Sequence, residues 1–314
     1  MKKINKRFKR NYVIIVMTIL FSFMLAACQP NTQQEADETG LTVTVSILPQ
    51  AYFVERIAGD AVRINVMVGP GEEAHTYEPT SEQMKSLNQS PVFFSIGVEY
   101  ENSWIPRFKD INPELQVVDS TAGITRIEVP EGHTHDEEQE DDHAAEDDDH
   151  SEGLDPHVWL APDNGKIMAE NILDALIELL PEQSDAFQAN YDALVSDITA
   201  LDAEIEETLS GLDQRRFMVF HPAWGYFANQ YNLEQIAVQV GGQDPSVREM
   251  AELVDISREE NIEVIFIQPT FNAANAETLA EEINAEVAVV DPLASDWLSN
   301  LQKVAAAFAE ALKD

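Results

Sequence analysis

The sequence predicts an α/β fold: two (β/α) lobes with parallel sheets, joined by a long rigid backbone helix and separated by a cleft. Two observations predict it. Strand and helix patterns alternate on both sides of the stretch from Asp163 to Gly211, and such alternation indicates parallel sheets covered on both faces. Within the stretch, Ile167, Ile172, Leu173, Leu176, Leu179 and Leu180, then Phe187, Tyr191, Leu194, Ile198, Leu201 and Ile205, recur at the spacing of an amphipathic helix. Asp163 is the expected N-cap, and Pro181 divides the run into two helices. The second, Glu182 to Leu209, extends about 40 Å at about 1.5 Å per residue.

Taken in order, the chain opens with Met1 to Arg10, which is basic, and Val13 to Leu25, which is apolar, before Leu25-Ala26-Ala27-Cys28. These are the regions of a secretory signal, and the apolar run is shorter than the roughly 20 residues a membrane span needs. Cys28 is the only cysteine, which excludes an intramolecular disulfide. Its place after Leu-Ala-Ala resembles the lipobox of bacterial lipoproteins, which implies cleavage after residue 27 and a lipid on Cys28. Residues 28–40 read as a polar tether.

The N-terminal lobe, residues 41–181, reads as strand Leu41–Leu48, helix Pro49–Ala58 and strand Val62–Val68. A helix capped by Thr80 or Ser81 follows, then strand Val92–Ile96, a helix around Trp104 to Asp110 and strand Leu115–Val118. After the linking helix, 182–211, the C-terminal lobe, 212–314, carries strands Phe217–Phe220, Leu233–Gln239, Val264–Ile267 and Val287–Val290. Helices Ala223–Gln230, Ser246–Asn261, Ala274–Ile283 and Ser295–Leu312 lie between and after them. One insert breaks the pattern. Residues 131–152 hold His133, His135, His143 and His150 among twelve acids, a composition that cannot bury enough apolar surface to order itself. These four histidines are candidates for a secondary, weaker metal site, or else a solvated charge run.

The apolar fraction of 44% is enough to build real cores. The formal net charge is -38; without the six basic residues of the leader, 13 Lys and Arg face 57 Asp and Glu, about -44. Phosphate repels such a surface, so nucleic acid is excluded as a partner and cations are natural ones.

The remaining three histidines and one aspartate occupy similar places. His75 lies in the loop after a strand, in Gly71-Glu72-Glu73-Ala74-His75-Thr76-Tyr77-Glu78-Pro79. His157 lies in Asp155-Pro156-His157-Val158-Trp159-Leu160. His221 follows a strand directly in His221-Pro222-Ala223-Trp224, and Asp291-Pro292 follows Val287–Val290 likewise. Open α/β sheets bind ligands beyond the carboxyl ends of their strands. With two of the four from each half, a shared metal site would sit in the interlobe cleft. Each also has a plainer reading, as an exposed histidine or a turn aspartate. Three neutral imidazoles and a carboxylate suit zinc. Imidazole also suits copper, nickel and iron, and nothing excludes cobalt or cadmium.

These motifs, with Phe-His-Pro-Ala-Trp-Gly-Tyr-Phe and the terminal Val-Asp-Pro-Leu, resemble the solute-binding lipoproteins of zinc and manganese ABC importers. The resemblance covers Leu41 to Leu312. It implies that His75, His157 and His221 are ligands, with Asp291 or water as the fourth. A histidine at 221, where manganese-type members usually carry a carboxylate, implies the zinc branch. It further implies that Zn²⁺ is cargo and that an ABC permease and its ATPase are partners. The expected protein is a monomer and not an enzyme, held outside the cytoplasm on the bacterial membrane, periplasmic or at the outer surface, by lipid on Cys28. The rival expectations are a manganese- or iron-type importer component, a surface adhesin and, at greater remove, a zinc hydrolase; against the last, the sequence holds no His-Glu-x-x-His pair.

Overall fold

The computed structural model describes residues 40–129, 153–239, 245–270 and 273–313. The leader, Cys28, the tether and the four histidines of the acidic insert lie outside the described residues. Leu41 to Asp314 forms one compact unit.

Two four-stranded parallel sheets carry the architecture. The first is built from β1 (Leu41–Ile47), β2 (Val62–Val68), β3 (Val92–Ser95) and β4 (Gln116–Asp119), in the order β2-β1-β3-β4. The second, from β5 (Arg216–Val219), β6 (Glu234–Ala237), β7 (Val264–Ile267) and β8 (Glu286–Val289), repeats that order as β6-β5-β7-β8. In each sheet the chain therefore reverses its direction of travel beside the first strand, where open sheets leave a crevice at their carboxyl ends. Val45 pairs with Val66 on one side and Phe94 on the other. Met218 pairs likewise with Ile236 and Ile265.

Helices cover the sheets: α1 (Leu48–Ala58), α2 (Ser81–Leu87), α3 (Glu99–Ile111), α4 (Pro162–Leu179), α5 (Ser184–Leu209), α6 (Gly225–Gln230), α7 (Val247–Glu259), α8 (Ala273–Ile283) and α9 (Trp297–Ala311). Thr80 caps α2, its hydroxyl accepting from the Gln83 N–H, and Ser246 caps α7 in the same way through Glu249. The long stretch is two helices, as its proline requires, separated by a 3₁₀ turn at Pro181–Gln183. Its start differs from expectation. Ala161 is the N-cap and Pro162 the first helical residue, a position where the missing proline N–H costs nothing; Asp163 instead sits in the first turn. Helix α3 also begins earlier than expected, at Glu99, and carries Pro106 within it.

Along α5, Leu194, Ile198, Leu201, Ile205 and Leu209 are buried, the spacing that keeps one stripe inward. That stripe belongs to a single buried apolar cluster that runs from Val43 and Val45 of β1 to Phe217 and Val219 of β5 and Phe308 of α9. The alternate residues of the second sheet, Met218 and Phe220, face a smaller cluster with Leu253 of α7 and Leu279 of α8. Both faces of this sheet are thus dry, as the parallel pattern demands. Among the described residues no helix is long and apolar enough to cross a membrane.

Candidate metal centre

Each of the three histidines is delivered by a segment pinned to the sheet beneath it. His75 rides on the loop after β2. Gln83 fastens that loop: its Oε1 accepts from the Tyr77 hydroxyl at 2.6 Å and the Thr80 N–H at 2.8 Å, and its Nε2 donates to the Val66 and Met67 carbonyls at 2.8 and 2.6 Å. His157 opens a short turn, Val158–Leu160, in which Trp159 Nε1 donates to the Pro292 carbonyl at 2.7 Å. The Trp159 carbonyl in turn accepts from Trp297 Nε1 at 2.6 Å. His221 lies two residues beyond β5, where Phe220 continues the ladder by donating to Phe266 O and accepting from Gln239 N, both at 2.8 Å.

The three rings converge. One ring nitrogen from each of His75, His157 and His221 lies within 4.8 Å of the others. The ring centroids form a nearly equilateral triangle of 5.0, 5.3 and 5.4 Å. His75 Nε2 and His221 Nε2 are 3.2 Å apart. Two nitrogens on one tetrahedral zinc, each at about 2.0–2.1 Å, stand about 3.3 Å apart, so this pair is already at ligand spacing. The rings face a cavity of about 500 Å³ that Glu73, Glu99 and Gln239 also line.

The outer ring nitrogens are all engaged. His75 Nδ1 lies 2.5 Å from Glu99 Oε2, His157 Nδ1 2.7 Å from Asp155 Oδ1 and His221 Nδ1 3.3 Å from Gln239 Oε1. An oxygen acceptor on Nδ1 places the proton there and leaves Nε2 with a lone pair for a metal. The proton affinities differ sharply. Burial, aided by the positive charge that His157 and His75 would carry, pushes His221 down to about 3. Burial also acts to lower His75, but the hydrogen bond and charge of Glu99, with Glu73 and Asp155, outweigh it and raise the ring above its ordinary value. Glu99 is itself held below the usual carboxylate range: its burial is outweighed by the bond to His75.

Asp291 is not among the three converging groups. It lines a separate cavity of about 270 Å³ with Gln268, Glu72 and Asn300, and its Oδ1 accepts from the Leu293 N–H at 2.9 Å. The residues that sequence reasoning passed over are Asp155, Glu99, Gln239 and Gln83. The first three stand next to a histidine motif or just beyond a strand's carboxyl end, the same signal that picked out the histidines.

The zinc-uptake complex component A family, described as periplasmic, matches residues 43–311. The chain belongs to this family. Members of the zinc-uptake component A family are solute-binding proteins, and the α/β expectation with two parallel sheets is borne out in their solved structures as in this one. A ZnuA deletion mutant solved with zinc bound superposes at a TM-score of 0.78 and 38% identity, over 88% of this chain and 99% of that one. The zinc-binding lipoprotein AdcA of Streptococcus pneumoniae is 29% identical over 289 residues, 90% of this chain and 55% of that protein. This chain thus spans about half the length of the AdcA proteins it matches. The high-affinity zinc uptake system protein ZnuA of Bacillus subtilis is 26% identical over 91% of this chain and 89% of its own length. A laminin-binding protein of Streptococcus agalactiae, described as both adhesin and metal transporter, shares the fold at a TM-score of 0.73 and 22% identity over 87% of this chain and 100% of that one.

Proposed function

We propose that this protein captures Zn²⁺ outside the cytoplasm and delivers it to the permease of an ABC importer. The observation that carries the reading is the convergence of three imidazoles, from positions 75, 157 and 221, with ring nitrogens within 4.8 Å of one another and His75 and His221 already at the 3.2 Å spacing of two ligands on one tetrahedral cation. The relatives named for zinc binding and zinc uptake support it. An arriving ion exchanges its waters for His75, His157 and His221. In this proposal water takes the fourth position, and Asp291, which lines the other cavity, joins only if its loop moves the carboxylate across. Nitrogen-rich coordination favours zinc over manganese, which prefers oxygen.

The protein acts as a carrier rather than an enzyme, because the ion is cargo that must leave again. Lipid on Cys28 tethers it as a monomer to the membrane that holds the permease and its ATPase. Residues 41–181 and 212–314 serve as lobes on either side of the 182–211 helix, and the acidic insert gathers zinc weakly through its own histidines. Isothermal titration tests the core of this. His221→Ala should lower zinc affinity by a hundredfold or more, with manganese competing poorly against zinc on the native protein. Unchanged affinity in His221→Ala would remove the assignment.

A further inference from the structure

The three histidines hand their outer nitrogens to acceptors of different charge: carboxylates for His75 and His157, a neutral amide for His221. Three neutral imidazoles offset none of a dication's charge, whereas two outer carboxylates offset both units. We infer that Asp155 and Glu99 are the charge-balancing and positioning residues of the cation site, with Asp155 the dominant one. The inference rests on the metal-binding reading of the three histidines.

The case for Asp155 is made by what its carboxylate lacks. The side chain is fully buried. Oδ1 accepts from both the His157 N–H at 2.9 Å and Nδ1 at 2.7 Å. Oδ2 is buried with no hydrogen-bond partner among the described residues. Arg126 reaches only the main-chain oxygen of Asp155, at 3.5 Å, an oxygen that also accepts from the Tyr226 hydroxyl at 2.9 Å. A buried carboxylate with an idle oxygen is costly unless a counter-charge stands nearby. A dication on the Nε2 of His157 supplies that counter-charge through the imidazole. Room for the idle oxygen is kept by Gly225 at the start of α6, where a Cβ would lie 2.6 Å from Oδ2. Glu99 is different. Its side chain is 55% exposed, so water screens its charge and its share is smaller.

Zinc affinity, read by competition with a chromophoric chelator, tests this on the purified protein carrying Asp155→Asn, Glu99→Gln or His157→Ala. Asn at 155 keeps an oxygen to accept from His157, removes the charge and puts an amide NH2 in place of Oδ2. Asp155→Asn is expected to weaken zinc binding by about 10- to 100-fold, the usual loss for an outer partner of a metal-bound histidine, and Glu99→Gln by a smaller but measurable factor, below tenfold. The tetrahedral absorption of bound Co²⁺ should be kept in Asp155→Asn, because orientation survives. Without metal, Asp155→Asn should melt no lower than the native protein, yet gain less on adding zinc; a purely structural aspartate would lower the metal-free melting point and leave affinity alone. Native-like affinity in Asp155→Asn, with binding lost in His157→Ala, overturns the inference while the site stands. Native-like affinity in His157→Ala overturns the site itself. Should Asp155→Asn fail to fold, Glu99→Gln on the exposed rim decides: unchanged affinity there overturns the charge-balance role.

Discussion

In the proposed site, His75 and His221 offer the same atom to one ion although their proton affinities are moved in opposite directions. His221, pushed down to about 3, is neutral throughout the physiological range. His75, raised by Glu99 despite burial, still carries a proton in part of the population near pH 7. A metal must expel that proton. Zinc affinity is therefore expected to decline with acid from above pH 6.5, by at least about tenfold per pH unit once His75 is mostly protonated, and His221 adds nothing to the slope. Zinc titrations between pH 8 and pH 5.5 check this, and a flat profile would contradict the assignment of His75. His75 and His221 were legible in the sequence because each follows a strand, and strand ends are where open sheets gather chemistry; His157, which follows no strand, was legible only from its Asp-Pro-His-Val-Trp-Leu motif. Their partners were not. Glu99 lies 24 residues from His75 and Gln239 lies 18 from His221, contacts that exist only once β3 and β6 have taken their places in the sheets. Asp291 obeys the same strand-end rule, yet it lines the other cavity, its Oδ1 accepting from the Leu293 N–H. The sequence marks such a strand end without marking which way the following loop turns.

Elements were legible where burial imposes a period and misread where a polar residue mimics a boundary. The stripe of α5 from Leu194 to Leu209 and the breaks at Pro181 and Thr80 follow from side-chain chemistry alone, whereas Asp163 pointed to a helix start that lies at Ala161 and Pro162 instead. Gly165 in α4 shows packing overriding propensity. Replacing glycine by alanine inside a helix normally stabilises by about 1 kcal/mol. Here a Cβ would lie 2.6 and 2.9 Å from two ring carbons of Trp297 and 3.4 Å from Phe53. Trp297 cannot retreat easily, since it is buried and its Nε1 donates to the Trp159 carbonyl. Overpacking of this kind costs about 1–3 kcal/mol, so Gly165→Ala is expected to be net destabilising in urea or thermal melts. An increase in stability would show that the ring has room to shift. Because Trp159 lies two residues from His157, the same substitution should also loosen zinc binding slightly.

At the scale of the whole molecule, the question is whether capture requires the two sheets to close on the ion. Closure by a hinge needs a joint across which few apolar contacts run. No such joint is visible in the buried cluster, which passes without interruption from β1 through α4 and α5 to β5 and α9. Opening it would expose apolar surface at about 25 cal/mol for every Å², a cost that rises quickly with the angle opened. The cheaper motion is local. The loop carrying His75 and the turn before α9 that carries Asp291 border the cavities, and a small shift there costs less than parting the two sheets. Zinc should then leave the radius of gyration from solution scattering unchanged within error, while hydrogen exchange slows at residues 70–78, 155–160 and 221–225. A large contraction on adding zinc would mean that the helical spine bends. Rigidity of this kind suits the proposed carrier: the ion's binding energy is spent on coordination rather than on rearranging the fold, so release to a permease requires disturbing only the loops that hold the three rings.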